Sequence, residues 1–92
     1  MKRLFNKVES DTGFIVKIRV FQGFVEYREG QRIAIVPVYL VIGKFLVHVH
    51  KDAFIKWNPP HSSEAITEDK RKEILQNIVD AMQFRKVPAE IV

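Results

Sequence analysis

The first half of the chain alternates apolar and polar residues in the way that half-buried β-strands do. The first clear run has apolar residues at every second position, namely Phe14, Val16, Ile18 and Val20. Because successive side chains of a strand point to opposite faces, this pattern predicts a strand with one buried face. A two-residue turn at Gln22-Gly23 would then set Val20 opposite Val25 and Ile18 opposite Tyr27 in a second strand.

A third strand is predicted after a three-residue loop at positions 29–31, which contains a glycine. This loop would pair Tyr27 with Ile33 and Val25 with Ile35, so that one face of the sheet stays apolar. The short connections on both sides of the second strand therefore predict antiparallel neighbours.

A last hairpin is indicated by Gly43-Lys44, which has the Gly-X form of a tight turn. The pairs expected from this turn are Tyr39 with His48, Leu40 with Val47, and Val38 with Val49. Inward positions would change here from odd numbers to Val38, Leu40 and Ile42, so we expect a β-bulge near Pro37 to absorb one residue. Residues 13–50 are thus predicted to form a four-stranded antiparallel meander.

The most regular pattern in the chain predicts one amphipathic helix after Thr67. Thr67 is a suitable N-cap, Glu68 and Asp69 place negative charge on the first turn, and Arg85 and Lys86 place positive charge on the last. Apolar residues recur along it at three- and four-residue spacing, namely Ile74, Leu75, Ile78, Ala81 and Met82. About 18 residues at roughly 1.5 Å each would cross one face of the sheet.

Pro88 forbids further helix, and residues 90–92 are expected to form a short edge strand or a loose tail. Together the elements predict an α+β fold. This fold is a four- to five-stranded antiparallel β-meander with one long C-terminal amphipathic helix packed on one face.

The composition fits a single domain over residues 1–92. At this length, with 47% hydrophobic residues, we expect one core and no second domain. The chain has no cysteine, which excludes disulfides and thiolate chemistry and favours a cytoplasmic location. No apolar run has the length of a signal peptide or a membrane span, so neither secretion by that route nor membrane insertion is expected.

The charge distribution leaves a second function open, that of a small basic nucleic-acid-binding domain. The net charge is +4, from 15 basic and 11 acidic side chains, and the basic excess lies in the N-terminal half. No dense run of like charge occurs, so the simpler interpretation is that these side chains solvate one face of the sheet. In the alternative, basic residues would contact phosphates and aromatic residues would stack on bases. The basic set is Lys17, Arg19, Arg28 and Arg32, and the aromatic set is Phe21, Phe24 and Tyr39.

Residues suited to catalysis or metal binding are few. His48 and His50 are two apart in a predicted strand, so they leave the same face, and His61 would supply a third nitrogen. No carboxylate has a matching spacing, and we therefore expect these histidines to pack beside Tyr39 rather than bind a metal. The adjacency of Ser62 to His61 does not make a catalytic triad, and there is no phosphate-binding loop or nucleophile elbow. The sequence predicts no enzyme activity, no metal and no cofactor.

The stretch FIKWNPPHSSEAITEDK, residues 54–70, joins the sheet to the helix and permits two interpretations. Asn58 precedes a proline and is pushed to an extended conformation, and Pro59-Pro60 stiffens the chain. In one interpretation Trp57 closes an end of the core and the prolines only aim the chain. In the other, the rigid aromatic segment is a recognition surface, because a pre-ordered aromatic side chain loses little entropy on binding.

This segment and the helix contain an ordered set of residues: a tryptophan, an amide residue, two prolines, an isoleucine with a threonine, and the pairs Ile-Leu and Asn-Ile. They are Trp57, Asn58, Pro59, Pro60, Ile66, Thr67, Ile74, Leu75, Asn77 and Ile78. In this order they resemble the immunity proteins of bacterial polymorphic-toxin systems, specifically the family numbered seventy-four. The resemblance covers residues 45–92 well and the earlier strands by pattern only.

The resemblance implies a non-enzymatic inhibitor, encoded beside a toxin of the contact-dependent growth inhibition type, that binds the cognate toxin domain in the cytoplasm. We expect contact through residues 56–62 and the sheet face around Tyr39, with neither nucleic acid nor membrane as a partner. The predicted toxin-binding set is Tyr39, His48, His50, Lys56, Trp57, Asn58, His61 and Ser62. A monomer is expected, with a homodimer through an unpaired edge near Pro37 or Ile91 as the alternative.

Overall fold

The computed structural model describes residues 1–4, 6–41, 43–44, 46–53 and 55–92. Eight strands and one α-helix follow each other along this part of the chain. They are β1 (Lys2–Leu4), β2 (Lys7–Glu9), β3 (Phe14–Arg19), β4 (Phe24–Glu29), β5 (Arg32–Pro37), β6 (Tyr39–Val41), β7 (Leu46–Val49), α1 (Glu68–Phe84) and β8 (Ala89–Ile91). A 3-10 turn at Val20–Gln22 separates β3 from β4.

The first sheet is a five-stranded antiparallel meander in the order β1-β2-β3-β4-β5. Helix α1 packs against the apolar face of this sheet and shares its core. The predicted α+β fold, a meander with one long C-terminal helix, is therefore confirmed for the described residues. The sequence pattern did not predict β1 and β2, which are three residues long and extend the sheet beyond β3.

The hairpin between β3 and β4 is present, but its turn is longer than predicted. Ile18 pairs with Val25, where the prediction placed Val20. The 3-10 turn takes Val20 out of the strand, and Gly23 closes it with a φ of 88° that favours glycine. This two-residue shift keeps every side chain on its original face, and Val25 and Tyr27 are fully buried.

The register between β4 and β5 differs by one residue from the prediction. Tyr27 pairs with Ala34 and Val25 pairs with Val36. The pairing of β4 and β5 begins immediately on either side of Gly30-Gln31, so the turn has two residues instead of three. A one-residue shift exchanges the two faces of a strand, so the predicted pairs with the isoleucines of β5 were wrong.

The change of register also removes the need for a bulge. Ala34 and Val36 are fully buried, whereas Ile35 is 40% exposed. Inward positions are thus even in β5 and stay even through Val38, which is 3% exposed. Pairing runs without interruption to Pro37, and the predicted bulge near that residue was wrong.

After Pro37 the chain enters a second, three-stranded sheet in the order β6-β7-β8. Two of the three predicted pairs of this hairpin are confirmed, Tyr39 with His48 and Leu40 with Val47. The third, Val38 with Val49, is not part of the ladder, because β6 begins at Tyr39 and the Val38 N–H bonds to the Gly23 carbonyl. The prediction of one continuous meander over residues 13–50 was wrong, because this hairpin belongs to its own sheet. The expected strand at the chain end is β8, which pairs parallel to β7. Ile42, predicted to point inward, lies outside the described residues.

Helix α1 begins at the predicted cap. The Oγ1 atom of Thr67 accepts a hydrogen bond from the Lys70 backbone N–H at 3.1 Å. The helix ends at Phe84, so Arg85 is the C-cap and Lys86 follows in the left-handed conformation, and both lie just beyond the last turn. The predicted apolar stripe is confirmed, and the buried residues of α1 are Ile74, Leu75, Ile78, Val79, Ala81 and Met82.

Both sheets and α1 contribute to one hydrophobic cluster among the described residues. Three aromatic rings form a stack through it, with centroids 5.7 Å apart for Phe14 and Tyr27 and 6.4 Å apart for Tyr27 and Trp57. Complete burial of an aliphatic side chain contributes about 1.5–3 kcal/mol. The cluster is therefore the main source of stability, and it leaves the outer face of each sheet available for other roles.

Candidate functional site

The outer face of the second sheet brings together three of the predicted contact residues. Tyr39 pairs with His48 between β6 and β7, and the Tyr39 ring meets the His50 ring edge-on with centroids 4.8 Å apart. His48 Nε2 lies 3.1 Å from Glu90 Oε1. Tyr39 remains 54% exposed. These four residues form an accessible surface with aromatic and polar groups, here named the histidine patch.

The predicted contact segment, residues 56–62, begins along the free edge of β5. The Asn58 backbone N–H donates to the Ile33 carbonyl at 2.7 Å, and Trp57 forms an isolated bridge with Ala34. Lys56 and Asn58 are exposed on either side of the buried Trp57, in the alternation of a strand. The backbone bonds therefore order the segment and cover part of the β5 edge.

Trp57 does not lie on the accessible surface. It is 5% exposed, and its ring stacks on Tyr27 inside the core. Of the two interpretations of this segment, the structure supports the one in which Trp57 closes an end of the core. Trp57 therefore anchors the segment in the core, and its ring is not accessible to a partner.

His61 belongs to an ion-pair network at the end of the segment. Its Nδ1 atom lies 2.6 Å from Glu64 Oε2, and the Arg32 guanidinium donates to Glu64 Oε1 at 2.7 and 2.9 Å. These hydrogen bonds, first from Arg32 and then from His61, hold the pKa of the Glu64 carboxyl below its usual value. The network is exposed to solvent, so its effect on stability is modest. It connects β5 to the chain that follows Pro60, beside the half-buried Ser62.

The three histidines have three different partners. The partners are Glu90 for His48, Tyr39 for His50 and Glu64 for His61. Among the described residues, no three His, Cys, Asp or Glu side chains are placed to hold a metal ion. The ring nitrogens and carboxylates of this arrangement can form hydrogen bonds with a partner, and the aromatic ring can pack against it.

The basic residues named for nucleic-acid binding are divided between the two faces of the first sheet. Lys17 lies opposite Glu26 across β3 and β4, with Nζ and Oε2 3.9 Å apart. Arg32 pairs with Glu64, and by strand alternation it leaves the sheet on the side opposite to Arg28. Carboxylates between the cations weaken their combined attraction for a phosphate backbone.

A polar network between the first sheet and α1 was not predicted. The Tyr27 hydroxyl donates to Glu29 Oε1 at 2.7 Å and accepts from Asn77 Nδ2 at 3.0 Å. The Lys70 Nζ atom lies 2.8 Å from the same Glu29 oxygen. The sequence offered one indication of this network, because Tyr27 and Glu29 are two residues apart and therefore leave the same face of a strand. Their helical partners come from a segment more than forty positions away, which no local pattern indicates.

This network perturbs two ionisable groups. Burial raises the pKa of the Tyr27 hydroxyl far above its ordinary value, and the hydrogen bond to Glu29 adds to this effect. Partial burial opposes ionisation of Glu29, but hydrogen bonds from Lys70 and Tyr27 outweigh it and lower the pKa of the carboxyl. The charged pair is therefore the stable form at neutral pH, and it holds α1 on the sheet.

The residues that carry the family resemblance mostly hold the fold. Trp57, Ile74, Leu75 and Ile78 are buried, and Asn77 bonds to Tyr27 within the network. The accessible groups instead lie on the histidine patch and in the segment 56–62. The fold and these surfaces define the class: a small α+β domain with ordered, exposed surfaces suited to binding another molecule.

The chain matches the family model of Immunity protein 74 over residues 15–92. It belongs to that family, and membership implies a protein that confers immunity against a toxin. The match confirms the resemblance seen in residues 45–92 and extends it to β3, β4 and β5. No curated protein matches the chain in sequence, and no solved structure matches it. In the part of the chain that is described, no helix is long and apolar enough to cross a membrane.

Proposed function

We propose that this protein is a non-catalytic inhibitor that binds and neutralises a cognate toxin domain in the bacterial cytoplasm. The toxin would belong to a polymorphic system of the contact-dependent growth inhibition type. The observation that carries this proposal is the match to the Immunity protein 74 family over residues 15–92.

The geometry supports inhibition by binding. An inhibitor of this kind requires an ordered surface that occludes the toxin, and it requires no reactive group. Three residues of the histidine patch lie on paired strands and His50 directly follows β7. The segment 56–62 is hydrogen-bonded to β5. Side chains that are ordered before binding lose little entropy on association, which favours affinity.

The proposed contact surface consists of the accessible members of the predicted set. Tyr39 and His50 form its aromatic part, and His48 adds a ring nitrogen beside Glu90. The second part follows the segment 56–62 and includes Lys56, Asn58, His61 and Ser62. Aromatic side chains at the centre of an interface tend to dominate binding energy, so Tyr39 is the residue on which affinity should depend most within this surface.

The test uses the toxin domain encoded by the neighbouring gene. Expression of that domain alone should arrest growth of a bacterial host, and coexpression with this protein should restore growth. Titration calorimetry on the purified pair should give one saturable site. As a control, a toxin domain from an unrelated system should neither bind nor be neutralised. Growth arrest that persists although the protein is folded and abundant would refute the proposal.

A further inference from the structure

The side chain of Phe21 is 96% exposed, although it is one of the largest apolar groups in the chain. It stands on the 3-10 turn between β3 and β4. The turn is held by a hydrogen bond from the Gly23 N–H to the Val20 carbonyl and by one from the Val38 N–H to the Gly23 carbonyl, each 3.0 Å long. Phe21 is therefore exposed on a turn whose backbone is hydrogen-bonded, and not on a loose chain end.

Phe21 lies at a groove of about 540 Å³ that four parts of the chain form together, the turn at Asn6 among them. Its other apolar lining comes from the end of β3 and the turn after it, from the second sheet and from the segment after α1, namely Ile18, Val20, Leu40, Val47, Val87 and Pro88. Leu40 is 38% exposed and had been predicted to point into the core. Apolar side chains thus make up most of the described lining, and the volume lies within the range of ligand-binding clefts in proteins.

The charged residues among the described lining of the groove are all basic. They are Arg19, Arg85 and Lys86, and the described lining contains no carboxylate. A concave surface with cations of one sign attracts an anionic partner and repels a cationic one. The net charge of +4 for the whole chain acts in the same direction.

Lys86 reaches the groove from a conformation that favours glycine. Its φ is 60°, and the Lys86 and Val87 N–H groups bond to the Gln83 and Met82 carbonyls in the Schellman arrangement that ends α1. Glycine is the usual residue at this position, because a side chain there is strained. A lysine at the position brings a cation to the groove at a cost to folding, as strained residues at binding sites do.

We propose that this groove is a second docking site for the toxin domain, and that it receives a segment of the toxin with a large apolar side chain next to acidic residues. The apolar side chain fills the groove against Phe21 and Leu40, and the carboxylates meet the basic lining. This inference rests on the proposed function and deepens it, because it states the chemistry of the partner. Leu40 and Tyr39 leave β6 on opposite faces, so a toxin bound to both the groove and the histidine patch would contact this edge strand on both faces.

The first experiment compares Phe21→Ala with Phe84→Ala by calorimetry against the toxin domain of the neighbouring gene. Phe84 is a matched control, because it is 43% exposed and does not line the groove. Phe21→Ala should weaken binding by roughly tenfold or more, as loss of an aromatic anchor does. Phe84→Ala should bind like the unmodified protein. The melting temperature of Phe21→Ala should stay nearly unchanged, since this residue is almost fully exposed, whereas Phe84→Ala should lower it moderately, because more than half of Phe84 is covered.

The second experiment uses Lys86→Gly, which separates binding from folding. Removal of the strain should raise the melting temperature by roughly 2–8 °C. Removal of the cation should weaken toxin binding and make the affinity depend less on salt. Lys72→Gln on the exposed face of α1 is the charge-matched control and should change neither affinity nor salt dependence. A variant that is more stable and binds less tightly cannot be explained by damage to the fold.

Three results would overturn the inference. Unmodified protein that binds and neutralises the toxin, with both groove variants equal to it in affinity, would reject the groove and leave the proposed function intact. Failure of the unmodified protein to bind would reject the proposed function and this inference with it. Tight binding of a fluorescent single-stranded oligonucleotide that is lost in Phe21→Ala would assign the groove to nucleic acid instead.

Discussion

Tyr39 presents an aromatic ring to solvent from β6, an edge strand of the second sheet. Its edge-on contact with His50 holds both rings in place before any partner arrives. An exposed ring of this kind contributes little to folding, because water reaches it in the folded and in the unfolded state. Its energetic contribution would come on binding, when the ring is removed from water.

We therefore expect the double substitution Tyr39→Ala and His50→Ala to weaken toxin binding by about 1–3 kcal/mol. The free energy of unfolding should change by less than about 1 kcal/mol, because both side chains are exposed. Calorimetry with the toxin domain and thermal melts measure the two quantities. Tyr39→Phe with His50 retained keeps the ring contact and should bind nearly as well as the original. Full affinity in a folded double variant would place the interface away from the histidine patch.

At the scale of elements, the attachment of α1 to β4 combines apolar packing with the Glu29–Lys70 pair. Two Nζ–oxygen contacts of 2.8 and 2.7 Å join Lys70 to Glu29, and a further contact of 2.7 Å joins Lys70 to Glu73. Burial opposes the charge on Lys70, but the hydrogen bonds that its ammonium group donates to Glu29 and Glu73 outweigh this and raise its pKa. The pair is thus a polar connection between two elements that otherwise meet through side chains of the core.

This connection predicts a specific pH dependence of stability. The pKa of Glu29 is lowered below its ordinary 4.5, so its stabilising contribution is complete above that pH and is lost as the pH falls through the lowered pKa. The raised pKa of Lys70 means that its contribution is complete below pH 10.5 and is lost at higher pH. Glu29→Gln should therefore cost roughly 1 kcal/mol at neutral pH, a modest value because the pair is partly exposed.

Urea denaturation of both proteins from pH 3 to pH 8 measures this effect. The difference in unfolding free energy between the original and Glu29→Gln should be constant from about pH 5 to pH 8 and should shrink below pH 4.5. Taking the difference removes the contribution of Glu64 and Glu68, whose pKa values are also lowered by hydrogen-bonded arginines. A difference that stays constant down to pH 3 would contradict a role for the charged Glu29.

At the scale of the whole molecule, unpaired strand edges decide whether two copies associate. The edge of β5 is partly covered, because Asn58 bonds to Ile33 and Trp57 bridges Ala34. The outer strands of the second sheet, β6 and β8, are three residues long, and short edges offer few hydrogen bonds to a second copy. Like net charge on both copies also opposes association.

We therefore expect a monomer of 10.8 kDa in light scattering coupled to size-exclusion chromatography at concentrations of about 100 µM. The Ile91→Lys substitution places a charge on β8, where Ile91 is 38% exposed, and should leave the measured mass unchanged. A mass near twice the monomer that returns to one chain in Ile91→Lys would instead show pairing through β8.

Local sequence patterns predicted the structure correctly where they were compatible with only one arrangement of the chain. The cap at Thr67 and the apolar stripe of α1 follow from the helical period, and every predicted stripe residue is buried. The Gly43-Lys44 turn allowed one pairing, Tyr39 with His48, and the structure has it. Alternation also distinguishes buried from exposed residues in part of the predicted contact set, since Lys56 and Asn58 are exposed on either side of the buried Trp57.

Only the tertiary structure decided the points at which the local pattern allowed two solutions. The stretch RIAIVPV of β5 and the following valine is apolar at odd and at even positions, so alternation does not select its register. Packing selects it, because Ala34 is fully buried, pairs with Tyr27 and bridges Trp57, and the rings of these two residues stack in the core with centroids 6.4 Å apart. The division into two sheets, the parallel β8, the Glu29–Lys70 network and the groove at Phe21 join segments far apart along the chain. Such contacts form only when the elements pack, and no local periodicity specifies them.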